Sequence, residues 1–420
     1  MKRKTNYDLI VVGGGLAGVG AAIGAAKEGL SVLLIEKGGF LGGAISNCSI
    51  NPFMKHAVFN EKDERIVINR GIFIELIEKL KEMDGIVNNS CFNEEYVKLL
   101  LDKMTTDAGV DVLFHTYFID VIKDGDTIKA IDVDTRNGRM TFSAKYFIDA
   151  SGDAALAFKA GCPYKIGREE DNLCQPMTLC FRMANVDMEK VMNSRAQINE
   201  MYNKAQAEGK IKNPRENVLL FWHTSEGVLH LNSTRIVKRS PLDAYDLSIA
   251  ERDAREQEYE LFKFMKENCP GCENATLLIS APEIGVRESR MIEGEYTINE
   301  DDIVSCRKFD DTIAVGAYSI DIHSPDGSGT KIVKIEQGKY YSIPYKSLIP
   351  KGVKNMLVAG RCISSTHTAQ SAYRVLPIVA CIGQGAGIAI AVANNDNTDT
   401  RNVDINKVHK IMEKQDLIYK

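Results

Sequence analysis

The segment Tyr7-Asp-Leu-Ile-Val-Val-Gly-Gly-Gly-Leu-Ala-Gly18 constrains the fold more than any other part of the chain. An apolar strand runs into Gly13-Gly-Gly15-Leu-Ala-Gly18, which fits G-x-G-x-x-G, and an apolar helix follows at once. In such a loop the first glycine makes the tight turn, the second lets the main chain approach a pyrophosphate, and the third lets helix and strand pack closely. The helix N-terminus adds free amides and the positive end of a dipole, both suited to an anion. A second strand, Ser31 to Glu36, ends on a carboxylate placed to accept the hydroxyls of an adenosine ribose. Together these parts predict a βαβ dinucleotide site. Glycines serving only a turn, with Glu36 a solvent charge, would leave their coincidence unexplained.

At 420 residues the chain exceeds the usual limit of a single core, so two lobes are expected. Hydrophobic residues at 44% and charged residues at 26% exclude a disordered or fibrous chain. A net charge of -5, with Lys and Arg scattered, leaves no basic stripe and excludes nucleic acid as the main partner. Met1 to Asn6 is short and basic and enters the first strand without an apolar leader, so a cytoplasmic protein is expected. The apolar run Leu376 to Ala393 is broken by Pro377, Gly383, Gln384, Gly385 and Gly387 and reads as a buried helix, so no membrane partner is expected. A homo-oligomer is compatible with all of this. Ten cysteines lie far apart, and Cys269-Pro-Gly-Cys272 supplies only two of four ligands around a turn, so no metal is expected.

Helices are predicted around Ile72 to Met83 and Asn93 to Ala108, the latter with Val97, Leu100, Leu101, Met104 and Ala108 on one face. Short strands near 112–122, 127–134, 139–143 and 145–149 read as a β-meander that returns to the sheet at Asp149. From about residue 163 a second lobe begins, containing a helix from Ala244 to Glu267. A buried strand pattern returns at Asn355 to Gly360. The dinucleotide domain is therefore expected to be discontinuous, 1–162 with 346–396, around a capping lobe at 163–345. Residues 397–420 form a tail, weakly helical from Asp404 to Gln415.

Four stretches carry a family resemblance: the glycine loop with Glu36-Lys-Gly-Gly-Phe-Leu-Gly-Gly43; Phe147 to Asp153; Gly285-Val-Arg-Glu-Ser-Arg290; and Val358-Ala-Gly-Arg361 with Arg374 and Gly383 to Gly387. The sequence resembles FAD-dependent oxidoreductases related to the flavoprotein subunits of fumarate reductase and succinate dehydrogenase. That resemblance implies an α/β fold: a Rossmann-like FAD-binding domain of the glutathione-reductase type with a β-meander, and a second α+β substrate lobe. It implies FAD, bound by Gly13, Gly15, Leu16, Ala17, Gly18, Glu36, Lys37, Gly42, Gly43, Phe118, Ala150, Ser151, Gly152, Asp153, Gly360, Arg361, Leu376 and Gly385. Phe118 would flank the adenine, Ala150 to Asp153 would contact the adenosine side, and Gly360 with Arg361 would sit over the ribityl and diphosphate. Many relatives carry an acidic residue where this chain has Arg361. Gly383, Gly385 and Gly387 in one helix each cost up to about 1 kcal/mol against alanine, so a ligand or another backbone is expected close by. No second glycine fingerprint is present, so the electron donor or acceptor is expected to reach the flavin without a separate NAD(P)H domain. Cys48 follows the loop, but no histidine occupies Ala44 to Ser49, so FAD is expected to be noncovalent.

Arg374 falls just before the helix that begins near Leu376, where the helix dipole opposes a cation, so an anion is expected beside it; a structural salt bridge is the alternative. By resemblance it matches the arginine that clamps the substrate carboxylate. Arg287 and Glu288 resemble an arginine proton donor and the acid that reprotonates it, the alternative being a surface charge cluster with Arg290. His323 would orient a carboxylate or carbonyl. The functions implied are hydride transfer between flavin N5 and a small polar substrate, carboxylated or not, with reduction of an activated C=C bond the most concrete version. A dehydrogenase of an alcohol or saturated acid, and an electron-transfer flavoprotein without its own substrate, remain open, because the surroundings that tune a flavin are not legible in sequence.

Overall fold

The computed structural model describes residues 4–420; the first three residues of the basic start lie outside the described residues. A seven-stranded sheet is built around Asn6–Val12. This strand pairs in parallel with Val32–Ile35 on one side and with Gly138–Asp149 on the other, and Asp111–Leu113 extends the parallel side. Met356–Val358 joins beside Phe147 to Asp149, so the C-terminal part of the chain does complete this sheet. Strands covered on both faces must be apolar throughout, which explains the runs Leu-Ile-Val-Val and Val-Leu-Leu-Ile.

Tyr117–Asp124 and Thr127–Thr135 add the antiparallel meander. Its return is one twelve-residue strand, Gly138–Asp149, where the sequence pattern predicts two. Up to Ser143 it pairs antiparallel with Thr127–Thr135, and from Ser143 onward it runs parallel to Asn6–Val12. Exposed residues dominate its first part and buried ones its last, and that change of pattern imitates a break.

The helices Leu16–Ala26 and Leu376–Asp396 pack backbone to backbone. A Cβ at Gly383 would lie 1.9 Å from the Ala17 carbonyl oxygen, and one at Gly387 would lie 2.0 Å from that of Ala21. Another backbone, and not a ligand, therefore explains these glycines. Gly385, expected to contact the cofactor, faces Ile313 instead: a Cβ on it would lie 2.6 Å from the Ile313 side chain and carbonyl oxygen, so it serves helix-on-strand packing. The apolar window of the Leu376–Asp396 helix is wholly buried inside the protein.

The second lobe is a four-stranded sheet, in the order Leu220–Trp222, Leu229–Leu231, Phe181–Ala184, Thr276–Ser280. Helices Arg195–Ala207 and Ala244–Asn268 enclose its own core, including Phe181, Leu231, Leu261 and Met265. The packing divides the chain differently from the expected 163–345 unit. Ile298, Ile313, Val315 and Tyr341 belong to the first lobe's core, because Thr312–Gly316 lies against the Leu376–Asp396 helix. Val408, Met412 and Leu417 of the tail are buried in that same core.

A buried ion pair ties the lobes together. Glu94, at the start of the Glu94–Asp107 helix, meets Arg182 of the second lobe, with the His223 ring beside it. Burial opposes the charge on Glu94, but His223 and Arg182 outweigh it and hold the carboxyl down to about 2, from 4.5. The unfolded chain therefore takes up a proton below about 4.5 that the folded chain refuses. The stabilisation is complete above that pH and is lost as pH falls toward 2. Glu94→Gln, which strands Arg182, is expected to cost about 3 kcal/mol in urea unfolding at neutral pH and to cost progressively less on acidification. An unchanged unfolding midpoint at neutral pH would remove the pair from the account of lobe docking.

Candidate active site

The glycine loop, Glu36 and the Ala150 turn line a cleft of about 440 Å³ at the C-terminal ends of the parallel strands. Gly13 adopts φ +105°, and a Cβ on it would lie 2.4 Å from the Ala150 carbonyl oxygen. Glu36 is buried, and its two carboxylate oxygens accept from the Gly14 and Gly38 amides at 2.7 Å each, which fixes its orientation. Gly15 is different. Its backbone angles (-67°, 174°) suit any residue, and a Cβ there would meet only Gly43 Cα at 3.8 Å. The protein itself therefore does not require a glycine at 15; the open space before it does. The helix that follows has no side-chain cap and no acidic residue in its first turn, leaving its amides available to an anion.

Asp149, fully buried, accepts from the Ser151 and Ala157 amides and shapes the Ala150 to Asp153 turn. Arg361 donates to the Gly152 carbonyl at 2.8 Å, to the Val286 carbonyl at 2.7 Å and to Asp153 at 2.7 Å. Burial opposes the Asp153 charge, and the Arg361 charge overcomes it and lowers the pKa. Pro241, Leu247, Glu251, Glu283 and Ile284 of the second lobe wall the cleft, and Lys37 reaches Glu283 at 3.2 Å.

Gly13, Gly15, Leu16, Ala17, Glu36, Lys37, Gly42, Gly43, Ala150 to Asp153, Gly360, Arg361 and Leu376 all line this cleft. Gly18 does not; its Cβ would strike the Gly13 carbonyl oxygen at 1.8 Å, so it serves the helix-on-strand packing its motif position implies. Phe118, expected to flank an adenine, is also absent from the lining. It pairs with Val133 on the outermost meander strand, three strands from Asn6–Val12, and packs on the core.

A second cavity of about 410 Å³ abuts the cleft and shares Ala44, Val286, Arg361, Arg374 and Leu376 with it. Arg287, Arg374 and His323 line it together, from three separate segments. Arg287 donates to the Pro176 carbonyl and to Thr178 Oγ1. Burial, and then the charges of Arg374, Arg215 and Arg235, depress its pKa well below the usual arginine value. Arg374 caps the C-terminal end of the helix His367–Tyr373, two residues before the helix Leu376–Asp396 begins. Its Nη2 donates to Gln175 Oε1 at 3.2 Å, its Nε has no partner, and burial lowers its pKa despite Asp321 nearby. Burial and the surrounding arginines likewise push the His323 pKa down, so the ring is neutral.

Glu288 departs from expectation. It is fully buried, but it accepts from His367 Nδ1 and from the Gln175 amide, both at 2.8 Å, and forms no hydrogen bond with Arg287. Neighbours along an open segment leave on opposite sides, so Arg287 enters the cavity and Glu288 does not. Sequence reasoning missed Arg215, Glu216, Tyr318, Asp321 and Thr330, which also line the cavity, and Arg235 behind it. None sits in a motif. Ile50, Pro52, Met54, Leu219, Phe221 and Ile332 supply the apolar remainder.

Cys48 lines the cleft, and burial pushes its thiol up to about 12, so no thiolate is offered for covalent attachment. Denaturation is expected to release all the flavin into the filtrate; colour retained on the precipitate would show a covalent link. Burial in the second core also raises Cys269 and Cys272 to about 12, and no group of three metal-type ligands occurs among the described residues.

A Rossmann-like parallel sheet with this cleft at its strand ends defines a dinucleotide-binding protein. The family described as FAD dependent oxidoreductase matches residues 8–412, and the chain belongs to it: it is an oxidoreductase whose cofactor is FAD. Digeranylgeranylglycerophospholipid reductase of Methanocella arvoryzae is 31% identical over 162 residues, 36% of this chain and 40% of that enzyme. Glutathione reductase of Schizosaccharomyces pombe is 31% identical over 160 residues, 35% of this chain and 31% of that enzyme. Vinyl phenol reductase of Lactiplantibacillus plantarum is 50% identical over 44 residues, 10% of this chain and 9% of that enzyme. Each match spans less than half of the relative's length.

Proposed function

We propose that the protein transfers a hydride between flavin N5 and a small carboxylated substrate, reduction of an activated C=C bond being the most concrete form. The observation that carries this is the meeting of Arg215, Arg287 and Arg374 in one cavity that abuts the nucleotide cleft. Buried cations in excess of nearby anions favour a negatively charged ligand. An electron carrier needs no such cavity.

The cleft suits FAD, because an open face at Gly15, an uncapped helix start and an oriented Glu36 match a pyrophosphate and a ribose. When bound, FAD supplies two-electron hydride chemistry. The protein's own residues do the rest. Arg374 holds the substrate carboxylate, with the geometry that a planar guanidinium offers to two oxygens. Arg287, crowded by other cations, gives up a proton more readily than an ordinary arginine and delivers it to the substrate carbon. Glu288 is not its direct source; the carboxylates that share the cavity with it are Glu216 and Asp321, the latter bonded by the Tyr318 hydroxyl at 2.7 Å. The likeness of the Gly285 to Arg290 stretch and of Arg374 to fumarate reductases supports the same assignment, and all three relatives named above are reductases by name.

The test is anaerobic titration of dithionite-reduced protein with a panel of 2-enoic acids, their amides and their saturated counterparts. Reoxidation of the flavin by an enoate, and not by its amide, is expected. If no carboxylate alters the flavin's redox state while a partner protein does, the protein is a carrier.

A further inference from the structure

Arg235 lies outside the cavity lining but is among the most completely buried side chains of the protein, at 1% exposure. Its Nη1 donates to the carbonyls of Gly327 and Gly329, at 3.3 and 3.1 Å, and stands 3.1 Å from Glu216. Its Nη2 stands 3.0 Å from His323 Nδ1 and 3.2 Å from Thr330 Oγ1. Thr330 in turn donates to Glu216 at 2.8 Å.

We propose that Arg235 is a positioning residue that fixes His323 as a neutral imidazole with its single proton on Nε2, offered to whatever occupies the cavity. A guanidinium has five N–H donors and no acceptor, so a ring nitrogen facing it must accept. Nδ1 therefore carries a lone pair. A proton there would find an acceptor in Thr330 Oγ1 at 3.0 Å, but it would also set N–H against N–H beside a cation that cannot turn away, because the Gly327 and Gly329 carbonyls and Glu216 hold it, and that repulsion outweighs one neutral hydrogen bond. The doubly protonated ring is opposed by Arg215, Arg235, Arg287 and Arg374, against which only Asp321 and Glu216 stand on the facing segments. Nε2 lies 3.8 Å from Asp321 Oδ2, too far for a hydrogen bond, and the ring lines the cavity, so its one proton has no protein acceptor there.

Two consequences follow for the ligand. The atom that meets His323 is an acceptor, a carboxylate or carbonyl oxygen, and a group offering only donors, such as an ammonium, is refused. Nor does His323 exchange a proton during turnover at neutral pH. The tautomer can be read without any ligand, so it stands or falls apart from the functional reading, on which only the identity of the acceptor rests.

The experiment is nitrogen NMR of the protein labelled at its seven histidines, with His323 assigned by its loss in His323→Gln. The expected spectrum shows Nε2 protonated and Nδ1 bare, with no titration between about pH 5 and 8, where a free imidazole changes charge. A proton on Nδ1, or an imidazolium within that range, overturns the proposal. Arg235→Lys, still donor-only, should keep the tautomer, whereas Arg235→Gln, whose amide can also accept, should admit the Nδ1–H form. If Arg235→Gln keeps the wild-type signal, Arg235 does not do the positioning; should that variant fail to fold, the wild-type and Lys spectra decide. An Nε2–H signal in a protein that binds no carboxylate would defeat the functional reading alone.

Discussion

Gly15→Val is expected to leave the protein folded and to reduce its flavin content from about one FAD per chain to almost none. The residue's backbone angles are open to any amino acid, and a Cβ would touch nothing nearer than Gly43 Cα at 3.8 Å. A branched side chain would thus cost the empty fold little and would stand where a pyrophosphate must approach the helix amides. The neighbouring glycines behave oppositely. Gly18→Ala places a methyl 1.8 Å from the Gly13 carbonyl oxygen, and Gly383→Ala places one 1.9 Å from that of Ala17, so both are expected to impair folding itself. Circular dichroism and urea unfolding report the fold, and the visible absorbance after incubation with FAD reports the cofactor. Gly15→Val protein that is fully yellow would mean that the pyrophosphate lies elsewhere.

Arg287→Ala is expected to lower kcat by about 10² to 10⁴-fold, with KM much less affected and FAD retained. Arg287 lines the substrate cavity but not the nucleotide cleft, so cofactor binding has no reason to change. Arg374→Ala should fail differently, raising KM as well as lowering kcat, if that charge holds the substrate carboxylate as proposed, in the bound substrate and in the transition state alike. Stopped-flow hydride transfer in the two variants separates the roles. Near-normal turnover by Arg287→Ala would remove it as the proton donor and leave the cofactor assignment standing.

The nucleotide cleft was largely legible in the sequence, because its chemistry is local: Gly13 to Gly18, Glu36 to Gly43 and Ala150 to Asp153 are short runs whose spacing carries their geometry. Phe118 and Gly385 misled for the opposite reason, since each was placed by resemblance and the structure spends them on packing, one at the far edge of the sheet and one against Ile313. The cavity was legible only in part. Arg287, Arg374 and His323 could be singled out, but Arg215 and Tyr318 arrive from loops, and Asp321 from the short strand Ile320–His323, with no motif of their own, and they meet only in the folded chain. Glu288 shows the limit most clearly, since sequence adjacency to Arg287 places its carboxylate on the other side of the segment.

The contact between the Leu16–Ala26 and Leu376–Asp396 helices predicts that FAD and the proposed carboxylate are thermodynamic partners. Where Gly383 and Gly387 rest on the carbonyls of Ala17 and Ala21, no side chain intervenes to absorb a shift, so the helices move as one piece. One begins at the pyrophosphate loop, and the other begins two residues after Arg374. A diphosphate that seats the first therefore also sets the arginine at the start of the second. Affinity for a carboxylate should accordingly be weaker in the flavin-free protein. By reciprocity, a bound carboxylate should raise the equilibrium affinity for FAD by the same factor.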